Sequence, residues 1–108
     1  MSAASYTITV VNGSAPLVVA VTGELDVTNA SDFVKSTENL PGTRPFVLDL
    51  TDLRYLDSAG FATLDRMTGT NNVVVVIPPT SPMFRAAALM DLPRHDTLDA
   101  AISAVGGS

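Results

Sequence analysis

The sequence predicts a mixed α/β fold, with an antiparallel strand pair at its start and a parallel strand, helix, strand unit in its middle. Three observations carry that expectation. Residues 6–11 alternate in a β-favouring composition, Asn12-Gly13 follows as a turn signal, and Leu-Val-Val-Ala-Val-Thr resumes over residues 17–22. Residues 46–50 and 73–77 are short apolar runs that enclose a helical pattern, and a run apolar on both faces suits a strand covered on both sides. Elsewhere apolar residues recur at i, i+3, i+4 and i+7, the spacing of a helix packed on one face.

Taken in order, the first two strands are joined by a loop over residues 12–16. Gly23-Glu24-Leu25-Asp26 is then expected to break the strand pattern, and Thr28 or Asn29 can cap the helix that follows. That helix carries the stripe Ala30, Phe33, Val34 and Thr37. Pro41-Gly42-Thr43-Arg44-Pro45 ends it, because two prolines and a glycine in five residues cannot continue a helix. A strand over 46–50 and a linking segment over 51–56 lead to the turn Asp57-Ser58-Ala59-Gly60. A helix with Phe61, Leu64 and Met67 on one face leaves that turn and reads as ending near Met67, with residues 68–72 closing it. The strand over 73–77 then implies a right-handed parallel crossover. Ser81 and Pro82 read as N-cap and first residue of a helix over 83–90. Residues 95–97 read as a short edge strand. A last helix has the stripe Leu98, Ala101, Ile102 and Val105, and residues 106–108 fray. The sum is a sheet of about four to five strands with about four helices, one sheet face covered and the other left partly solvated or covered by the first strands.

Composition bounds the function. A chain of 108 residues fits a single domain over 1–108. With 46% apolar and 16% charged residues it belongs among globular folds rather than disordered ones. The net charge is −5 and the six basic residues, Lys35, Arg44, Arg54, Arg66, Arg85 and Arg94, stand singly, which argues against nucleic-acid binding. There is no cysteine, so disulfides, thiolate metal sites and a cysteine nucleophile drop out. The first residues lack a basic region and an apolar core, unlike a secretion signal. No apolar run exceeds five residues, Val73 to Ile77 among them, too short for membrane insertion. A cytoplasmic location is the expectation.

Most catalytic chemistry lacks its residues. A hydrolase would need Ser58, the lone His95 and one of eleven acids, but Ser58 has Leu56 and Gly60 where a nucleophile elbow has glycines. Asp49, Asp52 and Asp57 do not follow a calcium-loop spacing. Neither glycine-rich phosphate-binding pattern occurs, so no cofactor is expected, and the protein reads as a non-enzyme. What remains is Ser58, which has two readings. It is a helix N-cap contributing about 1 kcal/mol, or it is a phosphoacceptor held at a helix mouth.

Two separated stretches bear on that choice. Gly23-Glu24-Leu25-Asp26 followed by Val27-Thr28-Asn29-Ala30, and residues 47–53 with Tyr55-Leu56-Asp57-Ser58-Ala59-Gly60, resemble the signature segments of STAS domains, the anti-sigma-factor antagonists of bacterial partner switching. Ser81-Pro82, Phe84-Arg85 and Leu89 resemble the third helix region of that family, and the likeness runs from about residue 6 to 105. The resemblance implies the STAS fold and a switch. In the family the serine after the aspartate, matching Ser58, is phosphorylated by an anti-sigma serine kinase that spends ATP. The unmodified antagonist binds that kinase and releases a sigma factor, and a phosphatase resets it. Asp26, Thr28, Asp57, Ser58, Ala59, Gly60 and Phe61 are the expected partner-binding residues. The helix after Gly60 reads as shorter than the family's, which would bear on partner choice. An alternative within the same fold is an unphosphorylated accessory subunit of a membrane transport complex, docked on an ATPase.

Overall fold

The computed structural model describes residues 4–13, 15–42 and 44–106. Expectations for residues 1–3, Ser14, Thr43 and 107–108 lie outside the described residues, and Gly106, expected to fray, is instead helical. Strand β1 (Tyr6–Asn12) pairs antiparallel with β2 (Val18–Leu25), as the alternation and the Asn12-Gly13 signal require. Helix α1 (Ala30–Glu38) follows, then β3 (Phe46–Asp49), β4 (Leu53–Leu56), α2 (Ser58–Gly69), β5 (Val73–Val76), α3 (Phe84–Leu89) and α4 (Leu98–Gly106). The sheet is five-stranded in the order β1-β2-β3-β5, with β4 paired to β2 beyond the end of β3. β2 with β3, β2 with β4, and β3 with β5 are all parallel.

The period of two along each strand divides the core between the two sheet faces. Val19, Val21, Phe46, Leu48, Val73 and Val75 turn to one side, where Phe33 of α1, Phe61 and Leu64 of α2 and Ala87 of α3 complete the main cluster. Val18, Val47 and Val76 turn to the other and meet Ala101 of α4, with Leu98, Ile102 and Val105 packed around them. Each such fully buried aliphatic or Phe side chain contributes about 1.5–3 kcal/mol, so the larger cluster dominates stability. The second face is thus covered by α4 over β3 and β5, not by the first strands. Among the described residues no helix is long and apolar enough to cross a membrane.

Five expectations about local structure are corrected. The Gly-Glu-Leu segment does not break β2. Gly23 has φ +97°, and a Cβ there would lie 2.3 Å from the Ser5 carbonyl oxygen, so glycine lets the strand pass close to β1 and continue. Past this irregularity β2 exchanges β3 for β4 as its parallel neighbour. For the same reason the linking segment over 51–56 is half strand: Leu53 and Leu56 are buried, and β4 pairs with the far end of β2.

Helix α2 is not short. It spans 12 residues to Gly69, the longest of the described helices. Thr68 and Thr70 donate their hydroxyls to the Asp65 and Met67 carbonyls at 2.9 Å, which supports the last turn that the composition alone reads as a stop. Asn71, at φ 61°, is the left-handed residue that ends it. Ser81 does not cap α3 from the adjacent position. Its hydroxyl accepts the Met83 N–H at 3.0 Å within a turn, and α3 begins only at Phe84. The expected strand over 95–97 reduces to one residue, His95, bridged to Val76.

Tyr6 ties β1 to α1. Its ring meets Phe33 edge-on at 5.3 Å, and its hydroxyl donates to Asp32 at 2.6 Å and lies 2.9 Å from the Ser36 hydroxyl. Burial, and then the bond to Asp32, push the phenol above its ordinary pKa. The fold therefore favours the neutral phenol. Its contribution is whole below the unfolded value of about 10 and is lost as the pH rises through the folded value. The stability advantage of the wild type over Tyr6→Phe, read as a difference in melting temperature, should be constant near neutrality and shrink above about pH 10.

Candidate functional site

The site forms where β4 runs into α2 and β2 runs into α1, because Leu25 and Leu56 are paired neighbours and their chains leave the sheet side by side. Asp57 is the N-cap of α2. One carboxylate oxygen accepts the Gly60 N–H at 2.8 Å, and the other accepts the Val27 N–H at 3.1 Å. Its own N–H donates to the Leu25 carbonyl at 3.3 Å. A single side chain thus closes the first turn of α2 and fastens the loop between β2 and α1 to it.

That loop is held from its other side as well. The Asp26 carboxylate accepts the N–H of Thr28 at 2.8 Å and also the Thr28 hydroxyl. Asn29 stands in the N-cap position of α1 but makes no capping bond with its side chain. Its amide oxygen accepts the Asp26 N–H at 2.9 Å, while its amide nitrogen donates to the carbonyls of Glu24 and Ala4 at 3.0 and 3.2 Å. The sequence reading offered Asn29 as a cap; its side chain instead clamps the loop to β2. Val27, 73% exposed, is held at the surface between these anchors.

Ser58 is the first residue of α2 and is exposed. Its hydroxyl makes no hydrogen bond among the described residues, so the capping half of the sequence reading passes to Asp57. With the Gly60 N–H taken by Asp57, the N–H groups of Ser58 and Ala59 are the donors that helix geometry leaves open at this terminus.

The expected site residues therefore separate into two sets. Asp26, Thr28, Asp57, Ser58 and Ala59 are at least partly exposed around the helix mouth, whereas Gly60 and Phe61 are buried. Phe61 is 5% exposed and belongs to the main core, so it anchors α2 from beneath and cannot reach a partner. At Gly60 a Cβ would lie 2.9 Å from the Leu25 carbonyl oxygen and 2.7 Å from Leu56 Cδ2; only glycine lets α2 approach the end of β2 this closely.

Val27 was missed by the sequence reading, although an apolar residue between Asp26 and Thr28 in a turn was the available signal. From Val27 and Ala59 a groove of about 640 Å³ continues between α1 and α2, lined by Ala30, Val34 and Ala62 with Lys35, Glu38 and Arg66.

The assignment of roles has direct consequences for stability. Asp57→Ala should cost about 0.5–2 kcal/mol as a lost cap. Ser58→Ala should stay within about 0.5 kcal/mol of the wild type. Gly60→Ala should cost about 1–3 kcal/mol through overpacking. Urea denaturation of the three variants measures all of these.

Comparison with known proteins agrees with the fold. The solved structure of an anti-sigma factor antagonist from Mycobacterium paratuberculosis is similar over 94% of this chain and 95% of its own, with a TM-score of 0.68 and 24% identity. No curated protein matches the sequence. A family model described as "Mlab, STAS domain" matches residues 8–101, which takes in both loops of the site and all of the sheet except the first two residues of β1. The chain belongs to the STAS domain family.

Proposed function

We propose that this protein is an anti-sigma factor antagonist that acts in the cytoplasm as a single domain. In this reading its unmodified form binds an anti-sigma serine kinase, and phosphorylation of Ser58 switches it off. The observation that carries the reading is the division between adjacent residues: Asp57 makes the capping bond, and the Ser58 hydroxyl is exposed and unengaged at the start of α2. A kinase can modify that hydroxyl without breaking a bond that holds the fold. Membership of the STAS family supports the reading, and so does similarity to a structure described as an anti-sigma factor antagonist.

The electrostatics give the switch its direction. A phosphoryl group adds about −1.5 to −2 charge. Within the domain that charge meets the open N–H groups and the positive dipole end of α2. At a packed interface it would be desolvated beside the Asp57 carboxylate, which disfavours the complex. Val27, Thr28, Ser58 and Ala59 form the partner-facing surface, Asp26 and Asp57 fix its shape, and Gly60 and Phe61 support it from within. The partner supplies ATP, and a phosphatase restores the active form.

Incubation with the cognate kinase and ATP, followed by mass spectrometry, tests the proposal. The wild type should gain one phosphoryl group on Ser58, and Ser58→Ala should gain none while binding the kinase with unchanged affinity. By calorimetry Ser58→Glu should bind about tenfold or more weakly, the scale of one lost charged contact. An unmodified Ser58, together with co-purification of the domain with transporter components, would replace this reading with the accessory-subunit one.

A further inference from the structure

The two ends of the sheet are finished differently. At β5 the edge is closed by His95, whose N–H donates to the Val75 carbonyl at 2.8 Å and whose carbonyl accepts the Ile77 N–H at 3.0 Å. β1 stands at the opposite end, and among the described residues no strand pairs with its outer side. Proteins usually blunt such an edge with charge, proline or short length. β1 is seven residues of Tyr-Thr-Ile-Thr-Val-Val-Asn, with neither charge nor proline, and Val10 and Val11 are 46% and 60% exposed. Among the described residues the one blunting device is the irregularity between Val10 and Asn12, which ends the regular ladder after Val10.

The hydrogen-bond phase of β1 follows from its pairing with β2. The Ser5 carbonyl accepts the Glu24 N–H at 2.8 Å, and the register then pairs Tyr6 with Gly23, Thr7 with Thr22, Ile8 with Val21 and Thr9 with Ala20. Antiparallel pairs alternate between those that exchange hydrogen bonds and those that do not. Ser5, Thr7 and Thr9 therefore turn their backbone groups to β2, while Tyr6, Ile8 and Val10 turn theirs to the open side.

We propose that β1 pairs antiparallel with β1 of a second copy about a two-fold axis at Ile8, joining the two sheets into one. The outward set at 6, 8 and 10 matches itself on reversal: Tyr6 faces Val10 of the second copy and Ile8 faces Ile8. An isologous interface requires this self-complementarity. On the other face the exposed Thr7 and Thr9 come opposite each other, a favourable cross-strand pair. The strand itself carries no charge, so two copies meet without like charges facing each other across the ladder, while the net charge of −5 on each copy keeps the pairing weak. The contact is small and the dimer correspondingly weak. The pairing does not rest on the switch at Ser58.

Sedimentation of the full chain across the micromolar to millimolar range tests this, with thermal melts to verify folding. The wild type should show a concentration-dependent monomer–dimer equilibrium. Val10→Pro deletes an outward N–H in each copy and no bond to β2, so it should keep its melting profile and dimerise about tenfold more weakly. Should that variant melt early, Thr7→Lys with Thr9→Lys, which sets lysines opposite each other on an exposed face, should abolish the dimer by itself. A wild type that stays monomeric throughout, or a dimer unaffected by folded edge variants, overturns the proposal.

Discussion

The two bonds accepted by the Asp57 carboxylate join segments 30 residues apart in the chain. One oxygen closes the first turn of α2 and the other holds the loop that leads into α1. Both chains leave the sheet from the paired residues Leu25 and Leu56, so the carboxylate sits over the end of a parallel strand pair. Gly60 makes this possible by bringing the α2 backbone against the Leu25 carbonyl, and Phe61 fixes the helix in the core directly beneath. The surface around Ser58 is therefore set by its half-buried neighbour Asp57 and by the buried Gly60 and Phe61 beneath it.

This arrangement separates what a helix N-terminus offers structurally from what it offers chemically. Had Ser58 been the cap, modification would have removed a bond that orders α2. With the cap at Asp57, the serine contributes little to stability, and a negative charge added there meets backbone donors already pointing outward. The proposed switch then needs no change of shape in the domain. It acts through the cost of burying the new charge beside Asp57 in a complex.

Much of the fold was legible because the responsible signals are local. Alternation with Asn12-Gly13 specified the hairpin of β1 and β2, and the stripes through Phe33, Leu64 and Ala101 specified three helix faces. The failures lie where tertiary packing overrides local chemistry. Gly23 reads as a breaker, yet the close approach of Ser5 turns its missing Cβ into the means by which β2 continues. The Leu53 to Leu56 segment has too little periodicity to read as a strand and becomes one because the far end of β2 lacks a neighbour. The site's position was legible at Asp57-Ser58-Ala59-Gly60. Its division of labour was not, since which of two adjacent polar residues caps a helix depends on the angle at which the chain enters it. Val27 left a trace in the sequence, an apolar residue in a turn, but its place beside α2 follows only from the Asp57 bond to its N–H.

The dependence of the whole site on Asp57 is most directly tested by residue-resolved amide hydrogen exchange in the wild type and in Asp57→Ala. If one carboxylate holds both segments, the Val27 and Gly60 amides lose protection together in the variant, while the Thr28 amide, bonded to Asp26, keeps its own. Loss at Gly60 with Val27 unchanged would reduce Asp57 to an ordinary helix cap and contradict the account.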